Sequence, residues 1–215
     1  FFVKNPEKSE NLDKGSFFDL LKIRQFWFIL PLVLIHYAPV AGIRGLWIGP
    51  YINDNFYSAS NLAFATTAMS LSMIAGTFAY GPMDRIFSTR KWIIFIGSSV
   101  SLVSLISLAL FNEISFNVAV FLFCTLGFFG MSYPLMIAHG RSFSPENLTG
   151  RCVTLLNMFA IGGVGIFQFL TGRIFSKLTE VHNNNHEAYT IIFLFYASAL
   201  FLGLILYLKS KDRLD

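Results

Sequence analysis

The chain is poor in charge, nearly free of cysteine, and lacks every common catalytic pattern. Charged residues make up only 13% of its 215 residues, about half the usual share in a soluble domain. The two cysteines, Cys124 and Cys152, form no CxxC pair and no zinc spacing, and read as small buried hydrophobes. There is no GxSxG, no HExxH and no phosphate loop, and no carboxylate falls deep inside an apolar stretch. These absences argue against an enzyme and give no place for a metal or cofactor. No basic patch interleaved with aromatics points to nucleic acid. Period-two alternation is also missing, and the apolar runs are about twice the length of a barrel strand, which excludes a β-barrel.

Hydrophobicity is what the chain has in excess. Apolar residues make up 54% of it, 25 of them Phe. They gather in stretches near residues 26–49, 61–82, 92–111, 117–139, 152–173 and 189–208. Each holds roughly 20 residues, enough to cross about 30 Å of hydrocarbon as a helix. The fold class is therefore all-α, an integral membrane bundle of six transmembrane helices. Of the 16 Lys and Arg residues, 13 lie in the polar segments 1–25, 83–91, 140–151 and 208–215. The loops around 53–61, 112–117 and 177–187 hold almost none. By the positive-inside rule the basic segments and both termini are cytoplasmic. Trp27, Trp47, Tyr51, Tyr57, Trp92, Tyr189 and Tyr207 fall near the expected span ends, as an aromatic belt would.

Residues 1–25 read as a cytoplasmic linker. Within it Ser16 and Asp19 look like a helix start, and 17–25 is either a short amphipathic helix on the membrane surface or a solvated linker. Residues 209–215 form a cytoplasmic tail. The first residues, Phe1, Phe2 and Val3, read as the last turn of an earlier membrane helix, so the chain is expected to be a fragment.

A few residues need an explanation. Arg44 lies about two-thirds of the way across the first stretch with no acid in that stretch to pair with. A charge at that depth costs at least about 3 kcal/mol unless it is paired or wet. Seven-residue spacing puts Tyr37, Arg44 and Tyr51 on one helical stripe, a setting suited to an anionic or planar substrate. The alternative is that Arg44 snorkels to the interface or pairs with a helix elsewhere. Asn157 and Gln168, eleven residues apart, share a face of the fifth stretch. They either line a wet cavity or bond a partner helix. The glycines at 162, 163 and 165 between them would permit bending. Thr66, Ser70 and Thr77 share a side of the second stretch but can bond back to their own helix. His36 is the deeper of two candidate proton carriers, beside His139, though a lone His is more often structural. His182 and His186 read as part of a solvated, Asn-rich loop.

The loop GPMDRIFSTRK over 81–91 carries a further signal. A glycine, Gly81, precedes an Asp-Arg pair, Asp84 and Arg85, and a basic pair, Arg90 and Lys91, follows. This resembles the cytoplasmic signature loop of the major facilitator superfamily, with the glycine three rather than four residues ahead and the later glycine absent. The stretch GLWIGPY over 45–51 and the run from Gly150 and Arg151 through Asn157 to Gly172 look like a bacterial branch of that family. The resemblance covers nearly the whole chain. It implies the C-terminal half, helices seven to twelve, of a twelve-helix fold in the bacterial inner membrane, with a small-molecule substrate held between two halves. It also implies a missing N-terminal six-helix half as partner, and a cytoplasmic gate loop at Asp84, Arg85, Arg90 and Lys91. Arg44, Tyr37, Asn157 and Gln168 are substrate-binding candidates on the physical argument alone. A complete six-span channel or membrane scaffold is the competing expectation, although no pore signature is present.

Overall fold

The computed structural model describes residues 16–111, 115–182 and 185–214, with backbone only at 181 and 182. Among these residues the chain is helical and has no strand. The helices are α1 (Phe17–Leu21), α2 (Arg24–His36), α3 (Ala38–Gly42), α4 (Ile48–Phe56), α5 (Ala59–Phe87), α6 (Lys91–Leu110), α7 (Phe116–Gly130), α8 (Tyr133–Arg141), α9 (Thr149–His182) and α10 (Asn185–Tyr207). A single π turn, Ile43–Trp47, joins α3 to α4.

They assemble into six stretches long and apolar enough to cross a membrane: Arg24–Phe56, Ala59–Phe87, Lys91–Leu110, Phe116–Arg141, Glu146–Glu180 and Asn185–Tyr207. The first and fifth run further than the hydropathy alone implies. The loop expected around 53–61 shrinks to a tight turn. Tyr57 takes a left-handed backbone (φ 42°) and the Ser58 side chain caps α5 by accepting from the Asn61 N–H. Residues 112–114 and 183–184 lie outside the described residues. His186, expected in a loop, lies on α10.

Burial is unequal. In the most apolar window of the first span 67% of residues are buried, against 17% in the second and 28% in the fifth. The first span is the hub: α2 packs on α9 and α10, and α3 packs on α9. Glycine allows the closest approaches. A methyl group at Gly163 would run into the backbone carbonyl of Leu34, and one at Gly76 into that of Phe128. Small residues serve helix contact in lipid in this way. The flanking Gly162 and Gly165 face open space, and α9 runs unbroken through the cluster.

The aromatic belt needs correction. Trp27, Tyr57 and Trp92 are exposed, but Trp47, Tyr51, Tyr189 and Tyr207 are buried. Tyr51 meets the rings of Phe123, Tyr189 and Phe193 edge-on. Those rings find more contact in the bundle than at a lipid interface. At the start of the chain the Ser16 cap forms as expected, its N–H donating to Asp19 Oδ2 at 2.6 Å. The helix it opens is only five residues long. Its Leu20 is fully buried and its Phe18 is exposed.

Candidate functional site

The first and fourth spans are each interrupted partway across, and the interruptions meet. α2 ends at His36 and α3 begins one residue later with Pro39 in its first turn. α7 ends at Gly130 and α8 begins at Tyr133 with Pro134 in its first turn. Proline lacks the N–H that would continue the ladder and fits the first turn of a new helix. The rings of Tyr37 and Tyr133, one from each break, stack at 5.3 Å. The Tyr133 hydroxyl donates to Asn157 Oδ1. Tyr37, Tyr133 and Asn157 thus form one half-buried chain of contacts across three spans.

His36 lies behind this chain. Its Nδ1 is 3.0 Å from the Ser98 hydroxyl and its Nε2 is 2.9 Å from the Ser132 hydroxyl. Both ring nitrogens are engaged and the side chain is buried, so His36 pins α2 to α6 and to the break in span four. The geometry is that of the structural histidine.

Arg44 sits on the π turn and is exposed. Its Nε donates to the Ser70 hydroxyl at 3.0 Å. Ser70 itself bonds back to the Thr66 carbonyl, and Thr66 and Thr77 bond back to Leu62 and Met73. The expected stripe of Tyr37, Arg44 and Tyr51 does not form. A π turn adds a residue to the ladder, so the register after it slips by about one residue, close to 100°. Tyr51 is carried into the core, and Arg44 stays on the open face. Gln168 lies beside Gly42 and Gly45. Its side-chain amide has no hydrogen-bond partner among the described residues. Because α9 is unbroken, Asn157 and Gln168 do share a face of it.

Two cavities line this side of the bundle. One of about 270 Å³ is bounded by Arg44, Ser70, Met73, Ile74, Thr77 and Met131. The other, about 530 Å³, opens at the basic end, with Asp84, Arg85, Arg90 and Arg141 among its lining residues. Thr77 lines both, so the two follow one another along α5, and together they make up a trough on this side.

The loop at 81–91 splits in two. Asp84 and Arg90 form a buried ion pair at 2.9 Å. Arg85 is exposed on the trough. Lys91, expected to belong with these three, instead points away. It is buried and donates to the carbonyls of Leu208 and Ser210, both at 2.7 Å. Ser88 carries the turn in a left-handed conformation (φ 52°), where glycine would be unstrained. Asp212 was not foreseen. Burial raises the pKa of its carboxyl, but hydrogen bonds from Thr89, Lys91 and Arg90 outweigh this and hold it below the usual carboxylate range. Tyr133 and the two interrupting prolines were also missed. Pro39 and Pro134 inside otherwise apolar runs were the available signal.

No family model matches this sequence, and no curated protein matches it either. The fold does have a solved counterpart. The xylose transporter XylE from E. coli, in its inward-open conformation, superimposes with a TM-score of 0.66 at 16% identity. The alignment covers 92% of this chain and 49% of XylE, so the chain spans about half the length of that transporter. The class is therefore a multi-pass helical membrane bundle. Its particular fold is that of about half of XylE.

Proposed function

We propose that this chain is the C-terminal six-helix half of a secondary transporter that carries a small solute by alternating access. The observation that carries the reading is the meeting of two broken helices midway across the bundle. Interrupted helices free polar backbone and side chains where a substrate can bind, and they are tolerated in a membrane where they are buried in protein or line a cavity. Here the breaks present Tyr37, Tyr133 and Asn157, and the trough leads from Arg44 toward the basic end. Arg44 and Gln168 would supply the polar contacts, with the guanidinium favouring a carboxylate or another anionic group.

The partner is a second six-helix half. The second and fifth spans are the least buried of the six. On α5, Phe64, Leu71, Ile74 and Phe78 are exposed at helical spacing, and on α9, Met158, Ile161 and Phe169. A cavity wall supplied by another half would cover them. In this reading both termini, the loop at 81–91 and the loop at 141–151 are cytoplasmic and the membrane is the bacterial inner membrane. Asp84, Arg85 and Arg90 would then guard the cytoplasmic mouth.

The test uses the complete protein in proteoliposomes. Arg44→Gln should leave expression and melting unchanged and weaken binding of an anionic substrate roughly tenfold or more, the worth of a charge-assisted hydrogen bond. Arg44→Lys should keep part of that loss, because an ammonium cannot form the planar fork. Unchanged affinity in Arg44→Gln would remove Arg44 from the site. Saturable uptake by residues 1–215 alone would refute the half-transporter reading.

A further inference from the structure

The chain does not leave the bundle when α10 ends. Residues 208–214 turn across the basic end and are tied down at nearly every step. The carbonyls of Leu208 and Ser210 accept from Lys91 Nζ. The Lys211 N–H donates to Gln25 Oε1 at 3.0 Å, and its carbonyl lies 2.9 Å from His139 Nε2. The other nitrogen of His139 is 2.8 Å from the Tyr207 hydroxyl. The Arg213 guanidinium lies over the Phe143 ring at 5.8 Å. Leu214 reaches the wall of the larger cavity. This short segment therefore holds the start of spans one and three and the end of spans four and six.

Asp212 is the centre of that arrangement. The first turn of any α-helix leaves N–H groups without partners. Arg90 precedes α6 and offers no side-chain cap of its own. Asp212 supplies one from more than a hundred residues away in sequence. Its Oδ1 accepts from the N–H of Lys91 at 3.0 Å and of Arg90 at 3.2 Å, and its Oδ2 from the Thr89 hydroxyl. The negative charge also suits the positive end of the helix dipole. The residue whose backbone it holds, Arg90, is the one whose guanidinium reaches Asp84.

We infer that residues 208–214 are an intramolecular strap and that Asp212 is a positioning residue for the Asp84–Arg90 pair. The inference rests on the reading of the 81–91 loop as the cytoplasmic gate. With the strap seated, the first turn of α6 is fixed and Arg90 is aimed at Asp84. With it released, that turn frays, the ion pair loosens, and the trough opens at the basic end. The strap thus sets how readily the gate opens without touching the substrate.

The experiment uses the complete protein in inside-out vesicles, with Cys124 and Cys152 replaced by Ser and a single reporter, Thr77→Cys, in the trough. A membrane-impermeant maleimide reports access from the basic side. Asp84→Asn breaks the pair directly, and both it and Asp212→Ala should raise the labelling rate roughly fivefold, the scale of losing a helix cap. The double variant should add little, because both act through one linkage. Asp212→Asn keeps an acceptor oxygen and caps about as well as Asp, so it should stay within roughly twofold of the parent. Thr89→Val removes the contact to Asp212 and also the acceptor that the Thr89 hydroxyl offers the Trp92 N–H, and should give a rise of at least about twofold; it serves if Asp212→Ala fails to accumulate. A parent-like rate in Asp212→Ala or Thr89→Val, beside a raised rate in Asp84→Asn, overturns the strap. A parent-like rate in Asp84→Asn overturns the gate reading itself, and the strap's role falls with it. A rise in Asp212→Asn equal to that in Asp212→Ala would show that capping is not how the strap acts.

Discussion

Arg90 and Arg44 border the same trough and are treated in opposite ways. Arg90 is 7% exposed and ion-paired to Asp84, and its backbone is capped by Asp212. Arg44 is exposed, and its Nε donates to a serine hydroxyl. The basic end thus uses its charges on itself, linking four spans through side chains and main chain. The open face keeps a guanidinium, a carboxamide and two tyrosines in place with few internal partners. The first arrangement resists change of shape. The second is what a ligand can exploit, since a cation satisfied by its own fold has little left to give a substrate.

The largest effect should come from breaking the satisfied end. Asp84→Ala removes the carboxylate paired with a buried guanidinium and should cost up to about 3 kcal/mol of stability. Arg44→Gln should cost less than about 0.5 kcal/mol, as expected for an exposed position. Thermal unfolding in one detergent, both variants side by side, checks this; equal losses would erase the contrast.

Packing comes next. Gly163→Ala drives a methyl into the Leu34 carbonyl and should cost roughly 1–3 kcal/mol. Gly162→Ala meets open space and should be neutral or slightly stabilising. The pair separates close approach from helix propensity on one turn of α9. If both variants melt alike, the contact between α2 and α9 is softer than described.

Acid should release the strap only late. The folded pKa of Asp212 lies below its ordinary value of 3.8, so its contribution is fully present above that value. It is lost as pH falls through the folded value. His139, Arg90, Lys91 and Tyr207 face the same site. Anisotropy of a fluorophore at Lys209→Cys should stay flat from about pH 8 to 5 and fall only below about 4. A midpoint near 6 would transfer the role to His139.

The smallest effect concerns the turn before α6. Ser88→Gly relieves a left-handed backbone and should stabilise by up to about 1 kcal/mol. A loss instead would mean that the Ser88 hydroxyl matters to the cavity it lines.

Much of this architecture is legible in the linear chain because a membrane makes stringent demands. Apolar runs such as 92–111 and 189–208 can only be helices in lipid, and their number follows by inspection. The capping box at Ser16 is also local, since a cap needs only its own first turn. The site is less legible. Even spacing placed Arg44 between Tyr37 and Tyr51, and one π turn undid that relation. Tyr51 and Tyr189 sat where belt residues sit, but edge-on ring contacts drew them into the core.

What the sequence by itself determined is the all-helical bundle, its six apolar stretches and the clustering of basic residues at one end. These follow from hydrophobic length and charge, which are additive along a chain. Only the tertiary structure decided that two broken helices meet at Tyr37 and Tyr133. It alone made Lys91 a clasp for the end of α10, and seated the Asp212 carboxylate on a helix that begins 121 residues earlier. Those contacts depend on which faces pack together, and no local pattern encodes that choice.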